Sequence, residues 1–427
     1  MNKVVLAYSG GLDTSVAVAW LKEQHGVEVV TLTVDLGGGS LRQGVEARAM
    51  SAGASRAYVV DARERFITDY VWPHLQANAL YQGAYPLATA LARPLIAQLL
   101  VEVAKREGAD AVAHGCTGKG NDQVRFDVAT HALDPGLEVI APMRVGMGLT
   151  RDQEIDYANE RGIEIPITKA SPYSIDVNLW GRSCETGVLE DPWVTPPPDA
   201  YEWTVAPSDA PEAVEVTIEF EGGIPVAIDG ARLAPVDLID RLHVLGGAHG
   251  VGRIDHVEDR LVGIKSREIY ETPAATILHG AHRALESLTL SRDTLRFDRL
   301  VADELSRLIY DGLWFSALSR DLRSYVASAQ RVVSGEVRVR LDHGQAVVVG
   351  RRSPLSLYDK SLATYDEGDA FDHASAVGFI EIFGLPLRVE AARHGAVGKR
   401  HGAAWTWTDP LLDSLPTTVA DPEPAAV

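Results

Sequence analysis

The chain of 427 residues carries 59 Asp and Glu against 40 Lys and Arg, a net charge of −19, and is 46% hydrophobic and 23% charged, a composition and length that fit roughly two to four globular folding units. The global negative field repels a polyphosphate backbone and argues against a nucleic-acid partner, while a small anion can still be held by a local cluster of amides and cations. No apolar run approaches the roughly 20 residues of a bilayer span, no leader pattern precedes the first strand, and Cys116 and Cys184 lack ligand spacing, so we expect a cytoplasmic protein without membrane contact, disulfide or zinc site.

Through about residue 165, strand-like runs alternate with helix-like ones. The strands are KVVLAYS (3–9), VEVVTLTVDL (27–36), RAYVVDA (56–62), ADAVAHG (109–115) and LEVIAPM (137–143). This alternation predicts a parallel sheet covered on both faces. The helical segments VAVAWLKEQHG (16–26) and LATALARPLIAQLLVEVAKREG (87–108) end at Gly26 and Gly108, which fit left-handed C-terminal caps. After Pro166 the texture changes, and the proline-rich DPWVTPPPDAYEWTVAPSDAP (191–211) predicts an extended passage between domains. EVTIEF with PVAID (215–229) and VRVRLDHGQAVVVG (337–350) predict hairpins, with AATILHGAHRALESL (274–288) and DRLVADELSRLIYDGLW (298–314) as helices between them. The expected organisation is an α/β parallel-sheet nucleotide-binding domain (1–166), an α+β domain (167–360), and a C-terminal oligomerisation segment (361–427). Its last residues, SLPTTVADPEPAAV (414–427), are expected to be disordered.

Two loops carry chemistry. In AYSGGLDTS (7–15) a strand gives way to Gly10 and Gly11 and then to a helix start, offering unpaired amides, the positive end of a helix dipole and the hydroxyls of Ser9, Thr14 and Ser15. It lacks the lysine of a Walker loop and the spacing of a dinucleotide fingerprint. A plain strand-to-helix turn capped by Asp13 or Thr14 is the simpler alternative, but ligands bind at the carboxyl ends of such strands. HGCTGKGNDQVRF (114–126) also follows a strand and opens a helix. Its Thr117 and Asn121 suit a carboxylate, Asp122 an ammonium and Arg125 another carboxylate, a set that fits a zwitterionic substrate beside a phosphate loop. Together the loops point to ATP-dependent joining of small polar metabolites.

At these loops the chain resembles a known family. SGGLDTS resembles the signature of the N-type ATP pyrophosphatases, and HGCTGKGNDQVRF is similar to the second signature of argininosuccinate synthases. YQGAYPLATALARP (81–94), YSIDVNLWGRSCETGVLEDPW (173–193), GVGRIDHVEDRLVGIKSREIYETPAATIL (250–278), DGLWFS (311–316) and VVGRRSPLSLYD (348–359) extend the resemblance over about residues 3–390. It implies an adenine nucleotide alpha hydrolase-like first domain and a cytoplasmic homotetramer with C-terminal helices swapped between subunits. The implied reaction joins citrulline to aspartate, with ATP cleaved to AMP and pyrophosphate through a citrullyl-adenylate, and Mg²⁺ neutralises the phosphates.

Residue by residue, the resemblance implies that Ala7, Tyr8, Ser9, Gly10, Gly11, Leu12, Asp13, Thr14 and Ser15 wrap ATP, with Val34 and Gly115 near the adenosine. Thr117, Asn121 and Asp122 would hold aspartate. Tyr85, Thr89, Asn121, Arg125, Ser174, Ser183, Glu258 and Tyr270 would meet citrulline. Asp13, Asp122 and Arg125 are the candidate catalytic groups, and no residue is singled out as a protein metal ligand, with a magnesium or an orienting role left open for Asp13, the one carboxylate in its loop. The chain departs from the family pattern at Gly38 and Gln82, where Gln or Glu and Glu are usual, and in PMRVGMGL (142–149). Three other readings stay open: a related ligase with a changed substrate, a tRNA-modifying pyrophosphatase, which would want a cysteine pair and a basic surface, and a non-catalytic nucleotide sensor.

Overall fold

The computed structural model describes residues 1–39, 43–164, 173–366 and 368–400, with only the backbone for Arg151 and residues 395–400. The expected boundary at 166 and the tail 414–427 lie outside the described residues. Five strands, β1 (Lys3–Ala7), β2 (Glu28–Asp35), β3 (Arg56–Asp61), β4 (Ala111–Ala113) and β5 (Glu138–Ile140), form a wholly parallel sheet in the order β3-β2-β1-β4-β5. Alternation along central β1 sends Val5 into one apolar core and Val4 and Leu6 into another, all fully buried. That is why the run reads as uninterrupted hydrophobics: both faces of the sheet are covered.

The helices associated with this sheet are α1 (Leu12–His25), α2 (Val45–Ser51), α3 (Ala88–Glu107), α4 (Asp122–Leu133) and α5 (Arg151–Glu160). Gly26 and Gly108 close α1 and α3 in the left-handed conformation, as their positions predict. The N-cap of α1 is Gly11, not Asp13 or Thr14, and no side chain caps it. Its first-turn amides are thereby left available.

Two antiparallel sheets follow. β6 (Ser174–Asn178), β7 (Gly181–Glu185), β11 (Arg253–Asp259) and β12 (Lys265–Glu271) form one, in the order β11-β12-β7-β6. The other, ordered β10-β9-β8-β13-β14, contains β8 (Val214–Glu221), β9 (Ile224–Ile228), β10 (Ala231–Arg232), β13 (Gly335–Asp342) and β14 (Gln345–Arg352). Helices α6 (Pro235–Ala248), α7 (Pro273–Thr289), α8 (Arg292–Tyr310) and α9 (Ala317–Ala329) complete this region.

The proline-rich passage at 191–211 does not hang free: it is sewn to the four-stranded sheet. The buried Glu271 carboxylate accepts the backbone N–H groups of Glu202, Trp203 and Thr204, each at 2.9 Å, and the Thr204 hydroxyl at 2.7 Å. Arg267 donates to the carbonyls of Asp191 and Val194 at 2.8 Å.

The tip of the β6–β7 hairpin reaches the parallel-sheet half. Leu179 N–H donates to the Leu36 carbonyl (2.9 Å), Asn178 Nδ2 to the Ala88 carbonyl (3.0 Å) and Trp180 Nε1 to the Pro86 carbonyl (2.9 Å), while His243 Nε2 bonds the Leu179 carbonyl at 2.8 Å. Gly38 explains itself here. With φ +67°, a Cβ on it would lie 2.6 Å from the Asn178 carbonyl oxygen. In this chain the bare glycine lets the loop pass this close to the hairpin.

The described residues up to Tyr358 form one compact unit and those from Asp359 to Arg400 a second. The second contains the helices His373–Phe383 and Leu385–Arg400, on which Phe379, Ile380, Ile382, Phe383, Leu385 and Leu387 are exposed in the single chain. No helix among the described residues is long and apolar enough to cross a membrane.

Candidate functional site

The loop 7–15 joins β1 to α1 at the carboxyl edge of the parallel sheet. Ala7 is half-buried at the strand end. Tyr8 is turned into the core, and its phenol meets Ser15 Oγ at 2.9 Å, so it presents backbone rather than side chain to the loop's open side. Ser9 Oγ lies 3.2 Å from Thr14 Oγ1. Gly10, at φ +72°, and Gly11 complete the turn, Leu12 is half-buried and Asp13 is exposed. The second loop leaves β4 at His114, and a Cβ on Gly115 would lie 3.1 Å from the Thr14 methyl carbon, so the two glycine-rich loops are neighbours. Val34 is the penultimate residue of β2, on the same edge. Burial pushes the Cys116 thiol up, away from thiolate chemistry.

Asn121 joins this edge to the second region. Its Nδ2 donates to Tyr310 Oη (2.8 Å) and its Oδ1 accepts the Leu261 N–H (2.9 Å). Each end of the amide keeps capacity for one more partner. Asp122 is held between two guanidinium groups, Arg93 Nη2 at 2.8 Å and Arg125 Nη1 at 2.9 Å. Burial opposes its charge, but Arg93 and then Arg125 outweigh that and hold the carboxyl down at about 2. Arg93 Nη2 also meets Asp176 Oδ2 at 3.0 Å. Arg125 is buried, donates through Nε to the Tyr310 carbonyl (2.9 Å), and stands 4.9 Å from the Tyr310 ring centre. Thr117 is exposed on the loop.

Strand register gathers the rest. Tyr270 pairs with Ser183, and Ser183 with Asp176, while Glu258 and Ser174 are two or four residues along from members of that row. A two-residue period puts Ser174, Asp176, Ser183, Tyr270 and Glu258 on one face of the four-stranded sheet. Glu258 is buried and accepts two phenol hydrogen bonds, from Tyr270 and from Tyr310, each at 2.6 Å. Tyr85 stacks on Tyr270 with ring centres 4.1 Å apart and accepts the Thr89 N–H at 3.0 Å. Ser174 lies at the exposed start of its strand, away from this buried aromatic and carboxylate cluster. On the same face Glu268 is pushed well up by burial and by the nearby Glu185 and Glu258, with Arg260 pairing both Glu185 and Glu268.

Sequence reasoning missed Arg93, Asp176 and Tyr310. The first two stand inside resemblance segments and Tyr310 next to one, but only the fold shows that they bridge the predicted contacts. Gln82 also finds a partner: its Nε2 donates to Asp259 Oδ2 at 2.6 Å, a contact that a glutamate would turn into repulsion.

Family models match most of the chain. One described as "Arginosuccinate synthase N-terminal HUP domain" covers residues 3–164, and one described as "Arginosuccinate synthase C-terminal domain" covers 173–390. The chain is similar to the argininosuccinate synthase of Dehalococcoides mccartyi, 56% identical over 393 residues, 91% of this chain and 96% of that one. It is similar also to those of Symbiobacterium thermophilum (56% over 393 residues, 92% and 98%) and a Synechococcus species (57% over 399 residues, 93% and 99%).

Proposed function

The chain belongs to the argininosuccinate synthase family, and from that premise we propose how its residues join citrulline to aspartate at the expense of ATP. The citrulline ureido oxygen attacks the α-phosphorus, the bond to the bridging oxygen breaks, and pyrophosphate leaves. The aspartate ammonium gives up one proton to solvent, and the free amine then attacks the adenylated carbon, loses a second proton and expels AMP. Residues 7–15 hold the triphosphate through backbone amides and hydroxyls aimed at charge that grows on the leaving group. Val34 and Gly115 flank the adenosine.

Thr117, Asn121 and Asp122 take aspartate, with the Asp122 carboxylate facing its ammonium. Tyr85, Thr89, Asn121, Arg125, Ser174, Ser183, Glu258 and Tyr270 take citrulline. Asp122 and Arg125 act by positioning charge, and once the ureido oxygen is adenylated much of the barrier is removed by proximity. Asp13, exposed at the loop, fits a Mg²⁺ that arrives with the triphosphate, and the ion would neutralise charge on the departing pyrophosphate.

The observation that carries this reading is Asn121, whose two hydrogen bonds tie the aspartate loop to the elements bearing Glu258 and Tyr310. It supports one site shared by three substrates. ATP labelled at the α-phosphate tests it: AMP should appear in step with argininosuccinate and only with both amino acids present. Labelled ADP, or AMP formed without citrulline, would overturn the reading.

The exposed apolar row on 379–387 supports a homotetramer built through the C-terminal helices. Light scattering on the full chain and on Phe383→Asp checks this, with dissociation of the variant expected.

A further inference from the structure

The loop 7–15 offers phosphates amides and hydroxyls but no cation of its own. We infer that Arg48, from α2, supplies that charge and clamps the pyrophosphate end of the nucleotide. The inference rests on the reading that this loop holds phosphates. Arg48 stands against the loop's first glycine: a Cβ on Gly10 would lie 3.2 Å from Arg48 Nη2 and 3.7 Å from Nε, with Val45 Cγ2 at 2.9 Å. Its Nη1 is occupied, donating to the Gln43 carbonyl at 2.7 Å.

Nε and Nη2, the edge that faces Gly10, are buried with no hydrogen-bond acceptor. Arg48 enters no ion pair among the described residues. A buried guanidinium edge without acceptors is costly and rare. The Nε and Nη2 donors form the fork that matches two oxygens of one phosphate, whereas a lysine would give only a point charge. Gly10 therefore does more than permit a turn: a Cβ there would collide with Val45 and press on the guanidinium, so its absence lets the phosphate-loop backbone lie directly against Arg48. Thr14 meets Gly115 while Gly10 meets Arg48, so the charge is assigned to the phosphates that leave rather than to the nucleoside.

The test titrates inorganic pyrophosphate and AMP separately into the full-length protein and into Arg48→Gln and Arg48→Lys, alongside steady-state kinetics and melting curves. Loss of two charge-assisted hydrogen bonds should weaken pyrophosphate about 10- to 100-fold in Arg48→Gln, leave AMP within about twofold, and lower kcat. Arg48→Lys should recover part of the loss and, if the glutamine variant does not fold, carries the same comparison. Unchanged pyrophosphate affinity, or equal weakening of AMP and pyrophosphate, overturns the assignment. If the unaltered protein itself binds no pyrophosphate, the phosphate reading of the loop falls as well.

Discussion

Arg93→Gln tests whether the paired charges at the aspartate end form one unit. Arg93 Nη2 is shared between Asp122 and Asp176 at 2.8 and 3.0 Å, and its side chain is 14% exposed. With Arg125, the four groups sum to zero, and the substitution leaves a net charge of −1. Breaking a buried pair costs about 3–5 kcal/mol. Asp122 keeps Arg125, and Asp176 is 36% exposed and can be rehydrated, so we expect a stability loss nearer about 2 kcal/mol. Aspartate itself carries −1, and repulsion from the uncompensated cluster, at an effective dielectric of about 20 and a charge separation of roughly 6–12 Å, should add about 1.4–2.8 kcal/mol to its binding. That is a 10- to 100-fold rise in its KM. Citrulline-dependent exchange of pyrophosphate into ATP, which needs no aspartate, should stay within about threefold. Arg93→Lys should recover part of the aspartate affinity. Equal loss in exchange and overall ligation, or an unchanged aspartate KM in a folded variant, would refute the argument.

Other outcomes follow from single contacts. Glu286 accepts from Asn78 (2.6 Å) and Gln330 (2.7 Å), and burial pushes its carboxyl up to about 8 from an ordinary 4.5. The stability tied to its neutral form is complete below pH 4.5 and lost as pH rises through 8, so denaturant unfolding should show a few kcal/mol of decline from pH 5 to 8, flattened in Glu286→Gln; parallel slopes would sink this. Gly38→Ala should cost about 2 kcal/mol or more, from left-handed strain and contact with the Asn178 carbonyl, and a change below about 0.5 kcal/mol would mean the loop yields freely. Tyr310→Phe removes the hydroxyl between Asn121 and Glu258; unfolding should register about 1–3 kcal/mol, with a higher KM for citrulline, and an unaltered KM would show that the link is structural alone.

The parallel sheet was legible because strands buried on both faces are written as continuous apolar runs, as in Val4-Val5-Leu6. The four-stranded sheet was not legible from pattern. SIDVN, RIDHVED and KSREIYE carry Asp176, Glu258, Glu268 and Tyr270 inward, so the face packed against the site is polar and no simple alternation survives. Gly38 read as a lost side chain; the fold shows that a hairpin carbonyl occupies its place. The proline-rich passage read as a crossing between domains, yet Glu271, some 60 to 70 residues away in sequence, fixes it by four hydrogen bonds. The two glycine-rich loops at the strand ends were legible as turns into helices because glycine and hydroxyl spacing is local. The contacts of Arg48 with Gly10, of Arg93 with Asp122 and Asp176, and of Tyr310 with Asn121 span long sequence separations, which no local window displays.

The grip on the β6–β7 tip has a mechanical consequence. A hinge between the parallel-sheet region and the antiparallel-sheet region would have to break the hydrogen bonds from Leu179, Asn178 and Trp180 to Leu36, Ala88 and Pro86. The separation of the two regions at this tip is therefore set as the chain folds, and any change in it would first break these three bonds.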